Sequence, residues 1–449
     1  MPQTQSPQIV EQSSQRGKQP KNWRGVKLRD VISINPDSIG KNFTFEKILY
    51  TDISSVGTGV ADPPAEMSLS DAPSRARRLV KNGDTILSTV RPNRRSFLYI
   101  KNPKENMVVS TGFAVLRAGN KVDSRFLYYL ISNQPFTDYL TLYAKGAAYP
   151  AVDEDIIANA NVILPELSEQ RKISDILSTY DDLIENNTKR IKILEEMAQA
   201  IYKEWFVYFR FPRLRRGFGG QAGHEKAKSR SERSSTTGIK MVDSKTEFGK
   251  IPDGWKIIQM SEVADVIDCL HSKKPENIRI GKNILLQLNN ILDNGTVDLA
   301  EKYLLSDDDY KKWTSRIELK GGDCIVTNVG RIAAVAQIPV GVRAALGRNM
   351  TGIRPQKIPA SFLIAYLLSP HMKTEVQRKT DSGAIMDALN VKNIYLLNVI
   401  LPPQNLLIQF DNLVSPIRHL MNHVVAENQN LRQARDLLLP KLVTGEIRV

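Results

Sequence analysis

The chain has 449 residues, 41% of them hydrophobic and 24% charged, which is enough apolar material for several cores and too long for one ordinary domain. Lys and Arg number 62 against 48 acids, a net charge of +14, and this excess points to a polyanionic partner, nucleic acid first. Two cysteines, Cys269 and Cys324, exclude a disulfide scaffold; five histidines and no CxxC pair give no zinc cluster; and no apolar run reaches the ~18 residues of a bilayer span.

Residues 1–20 are rich in Gln and Ser, with no apolar segment, and read as a flexible tail rather than a secretory signal. A cytoplasmic, reducing compartment is expected. Residues 21–165 then read as a globular segment of short strands and turns. Asn82-Gly83-Asp84 is turn chemistry ahead of the β-rich run Thr85–Val90, and 123–132 reads as an apolar helix. Cations cluster just past the strand at Arg91, Arg94 and Arg95, preceded by Arg75, Arg77 and Arg78, and Lys145 adjoins a Gly-Ala turn. Arg and Lys on loops beside a strand suit phosphate contact and guanine-edge reading.

From Ser168 to about Tyr208 there is no Pro and no Gly. Ile173, Leu177, Tyr180, Ile184, Asn187, Ile191, Leu194, Ala198, Ile201 and Trp205 alternate gaps of four and three, a sustained heptad seam with Asn187 as its polar member. Residues 166–210 are therefore expected to form one long helix. The stretch 211–250 reads as a basic, flexible linker: from Arg210 to Lys240 there are nine Lys/Arg against two Glu, with Gly217-Phe218-Gly219-Gly220 inside it.

Residues 251–402 repeat the first globular segment. Trp23 and Trp255 are offset by 232, Val80–Leu87 and Leu319–Val326 by 239, Phe126–Ser132 and the run from Phe362 to Ser369 by about 236. Lys145-Gly146-Ala147 and Ser382-Gly383-Ala384 differ by 237, as do Asn161–Pro165 and Asn398–Pro402. Two copies of one α+β module, each with a small, mostly antiparallel sheet, are expected. The second copy carries its cations in the corresponding place, at Arg331, Arg343 and Arg348, with Lys379 by the second turn. These, with Arg91, Arg94, Arg95 and Lys145, are the candidate DNA-binding residues.

Residues 403–449 hold a second seam: Phe410, Leu413, Ile417, Leu420, Val424, Glu427, Leu431, Ala434 and Leu438, with Glu427 as the polar interruption. Pro416 is expected to kink this helix or delay its start, and Pro440 to end it. The two seams most simply pair with each other; packing of each on its own globular half, or pairing with another protein, stays open. No GxxxxGK[ST] loop and no Gly-rich S-adenosylmethionine loop is visible, and Cys269 near His271 is an isolated coincidence, so a reader of DNA without a catalytic centre is expected.

Several segments then resemble one family. Leu164-Pro165, Gln170-Arg171-Lys172-Ile173, Ile176-Leu177 and Asp181-Asp182, followed by the run Met197 to Val207, are similar to the central conserved region of type I restriction-modification specificity subunits. Ile251-Pro252-Asp253-Gly254-Trp255 resembles the entry to their second recognition domain, and Leu438 to Val449 their usual ending. The resemblance implies two target-recognition domains, each reading half of a bipartite site, separated by two long helices in an antiparallel coiled coil. Those helices would dock two methyltransferase subunits, and restriction/translocase subunits would join. S-adenosylmethionine, ATP and Mg²⁺ would sit on the partners, none on this chain. The rivals are a methyltransferase or nuclease with unrecognised motifs, and a coiled-coil scaffold or nucleic-acid binder without sequence specificity.

Overall fold

The computed structural model describes residues 22–211, 240–246, 248–380 and 388–449. The expected tail, most of the basic linker and the Ser382-Gly383-Ala384 turn lie outside the described residues. The chain forms two compact units. One comprises residues 22–183 with Leu431–Val449; the other is Ile184–Asn430.

The first unit contains β1 (Arg24–Lys27), β2 (Ile32–Ile34), β3 (Lys47–Thr51), β4 (Ala65–Ser68), β5 (Ala76–Leu79), β6 (Thr85–Ser88), β7 (Phe97–Tyr99), β8 (Met107–Ser110), β9 (Phe113–Ala118) and β10 (Asn161–Leu164). They pair as sheets β2-β9-β6-β7 and β4-β3-β8-β5 plus the antiparallel pair β1-β10; among these described strand pairs β3–β8 is the parallel one. The β-branched and aromatic runs Thr85–Ser88 and Phe113–Ala118 form the middle of the first sheet, where β6 is buried throughout. Gly83 enters it at φ +89°, a conformation that strains any L side chain, and a Cβ there would press on Ser124. One residue on, the buried Asp84 takes two bonds from Arg117 of β9, 2.8 and 2.7 Å, and caps the Lys81 amide at 2.7 Å. Helices α1 (Ser124–Ser132), α2 (Gln134–Tyr143) and α3 (Glu154–Ala158) follow the sheets. Asp123 caps α1 through the Phe126 amide at 2.9 Å, a contact worth about 1 kcal/mol. Phe126, Leu127 and Ile131 then join Trp23, Leu28 and Leu116 in the core.

The second unit repeats this plan. Its strands are β11 (Met241–Asp243), β12 (Lys250–Pro252), β13 (Lys256–Gln259), β14 (Ala264–Asp268), β15 (Asn283–Leu285), β16 (Tyr303–Leu305), β17 (Glu318–Lys320), β18 (Cys324–Thr327), β19 (Val335–Gln337), β20 (Arg343–Ala345), β21 (Met350–Pro355) and β22 (Asn398–Leu401). The sheets are β14-β21-β18-β19 and β16-β15-β20-β17 with the pair β13-β22, and β15–β20 is the parallel contact. Element for element this is the order of the first unit; the hairpin β11-β12 is additional. The buried bolt recurs as well: Arg354 of β21 grips Asp323 at 2.9 and 2.7 Å, Asp323 caps the Lys320 amide at 2.9 Å, and Gly322 precedes it at φ +94°. The short helices α7 (Ala360–Leu367), α8 (Pro370–Lys379) and α9 (Val391–Tyr395) follow the sheets as α1, α2 and α3 do, while α5 (Met260–Val263) and α6 (Asp307–Trp313) are additional.

The seams become α4 (Leu167–Tyr202) and α10 (Gln404–Val443). The first expected helix ends eight residues early in α-geometry and passes into a π-turn, Lys203–Val207. The wider turn seats two consecutive rings, Trp205 and Phe206, in the core of the second unit against Trp255, Phe362 and Phe410. In α10 both proline expectations need correction. The helix starts before Pro416, after Pro403 accepts the Leu406 amide, and runs past Pro440, which accepts the Thr444 amide. Pro416 lies on the exposed side, between the buried Val414 and Arg418 whose packing holds the helix through it.

The first seam is largely as expected: Ile173, Leu177, Asn187, Ile191, Ala198 and Trp205 are buried, and Tyr180, Ile184, Leu194 and Ile201 half-buried. The second is shifted by one position over two turns. Leu413 and Leu420 are 49% and 41% exposed, while Val414, Arg418 and Met421 are buried in their stead; Val424 is buried, and Ile417, Leu431 and Leu438 half-buried. Within the second unit the helices lie antiparallel, Asn187 meeting Glu427 at 3.2 Å and Glu195 meeting Arg418 at 2.8 Å, around Ile191, Met421, Val424 and Val425. Within the first unit Arg435 meets Asp181 at 2.7 Å, and Leu442 and Val443 pack in the core that holds Ile173 and Leu177.

Candidate nucleic-acid interface

In the first unit a 3₁₀ turn, Pro92–Arg94, follows β6 and is flanked by two left-handed residues, Arg91 (φ 49°) and Arg95 (φ 56°). Pro92 is buried and fixes the turn, so the neighbouring side chains point apart. Arg94 is exposed and, among the described residues, its side chain has no hydrogen-bond or ion-pair partner. Arg91 lies 4.4 Å over the Tyr149 ring and donates to the Ala148 carbonyl at 3.2 Å, while its amide donates to Pro150 at 2.7 Å. Loop 145–151 is closed by the Lys145–Ala151 bridge, and Lys145 pairs in the open with Asp153 at 3.2 Å. Arg91, Arg94 and Lys145 thus come from two loops stitched together, with the 70%-exposed Tyr149 beside them. Cations around an aromatic face suit a phosphate backbone and a base edge.

Arg95 turns the other way. It donates to the Ser132 carbonyl at 2.8 Å and borders a cavity of about 260 Å³ with Tyr128, Asp181 and Arg435. Arg78 is likewise inward, held by Asn35, the Phe113 carbonyl and Glu154, and its burial pulls its pKa down from the ordinary guanidinium value. Arg75 pairs with Asp52 at 3.1 Å.

The second-unit cations sit on separate elements. Arg331 is bound to the Ile291 carbonyl at 2.6 Å and to Asp293. Arg343 of β20 pairs with Glu318 at 3.1 Å with most of its side chain in solvent. Lys379 closes α8, its carbonyl accepting from Asn393. Arg348 is exposed and, among the described residues, unpaired; it borders an open cleft of about 490 Å³ with Lys274, Gln287, Asn289, Trp313 and Asn349. Guanidinium, ammonium and carboxamide groups over an aromatic floor are the donors and acceptors that read base edges. Sequence reasoning missed Tyr149 and the cleft's Lys274, Gln287, Asn289 and Asn349; the paired lysines Lys273-Lys274 were the available signal.

Among the described residues one group of three metal-ligand side chains converges, Asp268, Cys269 and His271. His271 is engaged by Asp268 at 2.7 Å, and burial raises the Cys269 pKa, keeping the thiol protonated and a poor ligand or nucleophile. It is not a catalytic centre. No described helix is long and apolar enough to cross a membrane.

Residues 20–196 match the family model described as "Type I restriction modification DNA specificity domain". The chain is similar to the type I restriction enzyme HindI specificity subunit of Haemophilus influenzae, 24% identical with 93% of this chain and 94% of that protein covered. It is also similar to the MjaIX specificity subunit of Methanocaldococcus jannaschii, 24% identical over 81% and 78%. Among solved structures, the S subunit of a type I restriction-modification system from M. genitalium shares the fold, with TM-score 0.52 and 14% identity over 94% of this chain and 96% of that one. Two repeated β-rich units with a pair of long helices define a two-domain specificity architecture. Residues 20–196 thus carry a type I restriction-modification specificity domain, and the chain as a whole is similar to specificity subunits of those systems.

Proposed function

We propose that this chain gives a type I restriction-modification complex its DNA sequence, reading a bipartite double-stranded site with one half-site per unit. The observation that supports this most is the repeat: both units have the same strand order and the same buried Asp–Arg bolt, Asp84–Arg117 and Asp323–Arg354, as expected of two variants of one reading module. In this reading Arg91, Arg94 and Lys145 serve the first half-site and the Arg348 cleft the second, with Arg331, Arg343 and Lys379 in supporting contact. Arg95 supports the first loop from within. The helices α4 and α10 set the number of unread base pairs, and their exposed apolar residues, Ile176 and Leu183 in the first unit and Met197, Leu413 and Leu420 in the second, are docking positions for two methyltransferase subunits. Restriction/translocase subunits complete the cytoplasmic assembly, and S-adenosylmethionine, ATP and Mg²⁺ act on those partners.

The test is co-expression with a methyltransferase subunit and mapping of methylated adenines in the host DNA. A single split motif that disappears without this chain is expected. No new methylation from a stable complex would overturn the reading.

A further inference from the structure

Segment 271–282 joins β14 to β15 and carries Lys273, Lys274, Arg279 and Lys282 against one acid, Glu276. At its tip Ile280 is 90% exposed, more than any other large hydrophobic side chain among the described residues. An isoleucine raised into water between two cations gains nothing for the fold.

The segment is nonetheless held firmly: His271 meets Asp268 of β14 at 2.7 Å, and from Lys274 onward the anchors reach one strand, β16. The Ile278 amide donates to the Leu304 carbonyl at 3.0 Å, the Leu304 amide donates to the Asn277 side chain at 2.8 Å, the Tyr303 hydroxyl donates to the Pro275 carbonyl, and Lys274 lies 4.0 Å over the Tyr303 ring. A Cβ at Gly281 would meet the Ile278 Cδ1 methyl at 2.9 Å, so the Ile278 side chain folds back over the tip. Among the described residues Lys273, Arg279 and Lys282 have no ion-pair partner, so their charge faces solvent. The same segment supplies Lys274 to the cleft that Arg348 borders.

A rigid basic loop with a bare apolar tip is the form of a wedge that enters a DNA groove. Cations hold the phosphates on either side, and a branched aliphatic group parts two stacked base pairs. Resting on the half-site reading above, we propose that segment 271–282 is a groove-insertion element of the second unit. Arg279 and Lys282 bind phosphates, and Ile280 opens one base step within or beside the second half-site. The step it opens is a pyrimidine–purine one, since these unstack most easily.

The experiment uses the assembled complex with its methyltransferase subunits and a duplex bearing the site found by methylation mapping, with 2-aminopurine placed in turn through the second half-site. Binding should raise the fluorescence at one step. Ile280→Ser should abolish that rise and weaken specific binding about tenfold, with the salt dependence unchanged, and Ile280→Leu should retain both. Arg279→Ala should instead lower the salt slope by about one unit. So exposed a residue has no packing to lose, which keeps the variants folded. Unchanged binding and fluorescence in Ile280→Ser would overturn the proposal. So would intact DNA binding with weakened methyltransferase assembly, which would assign the tip to a protein partner. A wild-type complex that binds no sequence specifically would sink the half-site reading itself, and this proposal with it.

Discussion

Asn187 of α4 donates to Glu427 of α10 at 3.2 Å, so the polar position expected in one heptad seam meets the one expected in the other. Arg190 donates to Asn187 Oδ1 at 3.0 Å, and the Asn428 side-chain amide donates to the Ile184 backbone carbonyl at 3.3 Å one turn away. Polar pairs in an apolar seam fix register at some cost in stability. Replacing both Asn187 and Glu427 by Leu should leave the melting temperature equal or higher. The same variant should methylate sites whose spacer differs by one base pair, which sequencing of methylated DNA would detect; unchanged spacer discrimination would remove the register role.

The second polar contact between these helices carries charge. Arg418 is nearly fully buried and is held by Glu195 at 2.8 Å and by the Gly295 carbonyl at 2.7 Å. Burial lowers the Arg418 pKa and raises that of Glu195, each opposed by the partner's charge. Arg418→Met should strand the carboxylate and cost about 3–5 kcal/mol. The double variant Arg418→Met with Glu195→Leu should recover most of that loss. Urea unfolding of the wild type, single and double variants measures it, and a double variant as unstable as the single one would show that the Gly295 contact dominates.

Arg117 joins two carboxylates, Asp84 and Asp37, the latter at 2.6 Å, and Lys81 also reaches Asp37 at 3.1 Å. The Arg117 and Lys81 bonds hold Asp37 below the ordinary aspartate value of about 3.9. A depressed carboxylate contributes stability above its unfolded pKa and loses it as pH falls through the folded one. Acidification from pH 5 to 3 should therefore destabilise the wild type more steeply than Asp37→Asn. Denaturation midpoints at pH 5, 4 and 3 check this; parallel slopes would show that Asp37 contributes nothing.

Arg94 and Arg348 are the sequence-chosen arginines left free among the described residues, one in each unit. Arg94→Ala should relax or weaken reading of the first half-site alone, and Arg348→Ala of the second alone. The loss is about 1–3 kcal/mol of discrimination where the contact is to a base. Arg95→Ala should lower the melting temperature, since its Ser132 bond is internal. Binding to singly mismatched half-sites measures the first two effects, and joint relaxation of both halves by either variant would contradict one unit per half-site.

The repeat was legible because its landmarks are residues that only the backbone plan demands. Gly83-Asp84 and Gly322-Asp323 mark the turn that sets each bolt, and Trp23 and Trp255 open each core. The first helix was legible from its unbroken seam. The frame of the second was not, because its buried face carries Arg418 and Asn428 while Leu413 and Leu420 point outward, so hydrophobicity alone selects the wrong stripe. Among the cations, sequence could not separate the free Arg94 from the occupied Arg95 and Arg331, whose partners Ser132 and Asp293 lie far along the chain. The Arg348 cleft needs β15 and α6 folded around it before Lys274 and Asn289 share its walls.

The first unit has a consequence for synthesis, because it is not continuous along the chain. Leu442 and Val443 belong to the core that contains Trp23, Ile173 and Leu177, and Arg435 satisfies Asp181, yet these residues leave the ribosome after the whole of Ile184–Asn430. The unit made first is completed last. Until then the first core lacks Leu442 and Val443 and Asp181 lacks Arg435. Premature termination after Asn430 would cripple the amino-terminal unit and leave the later-made one intact.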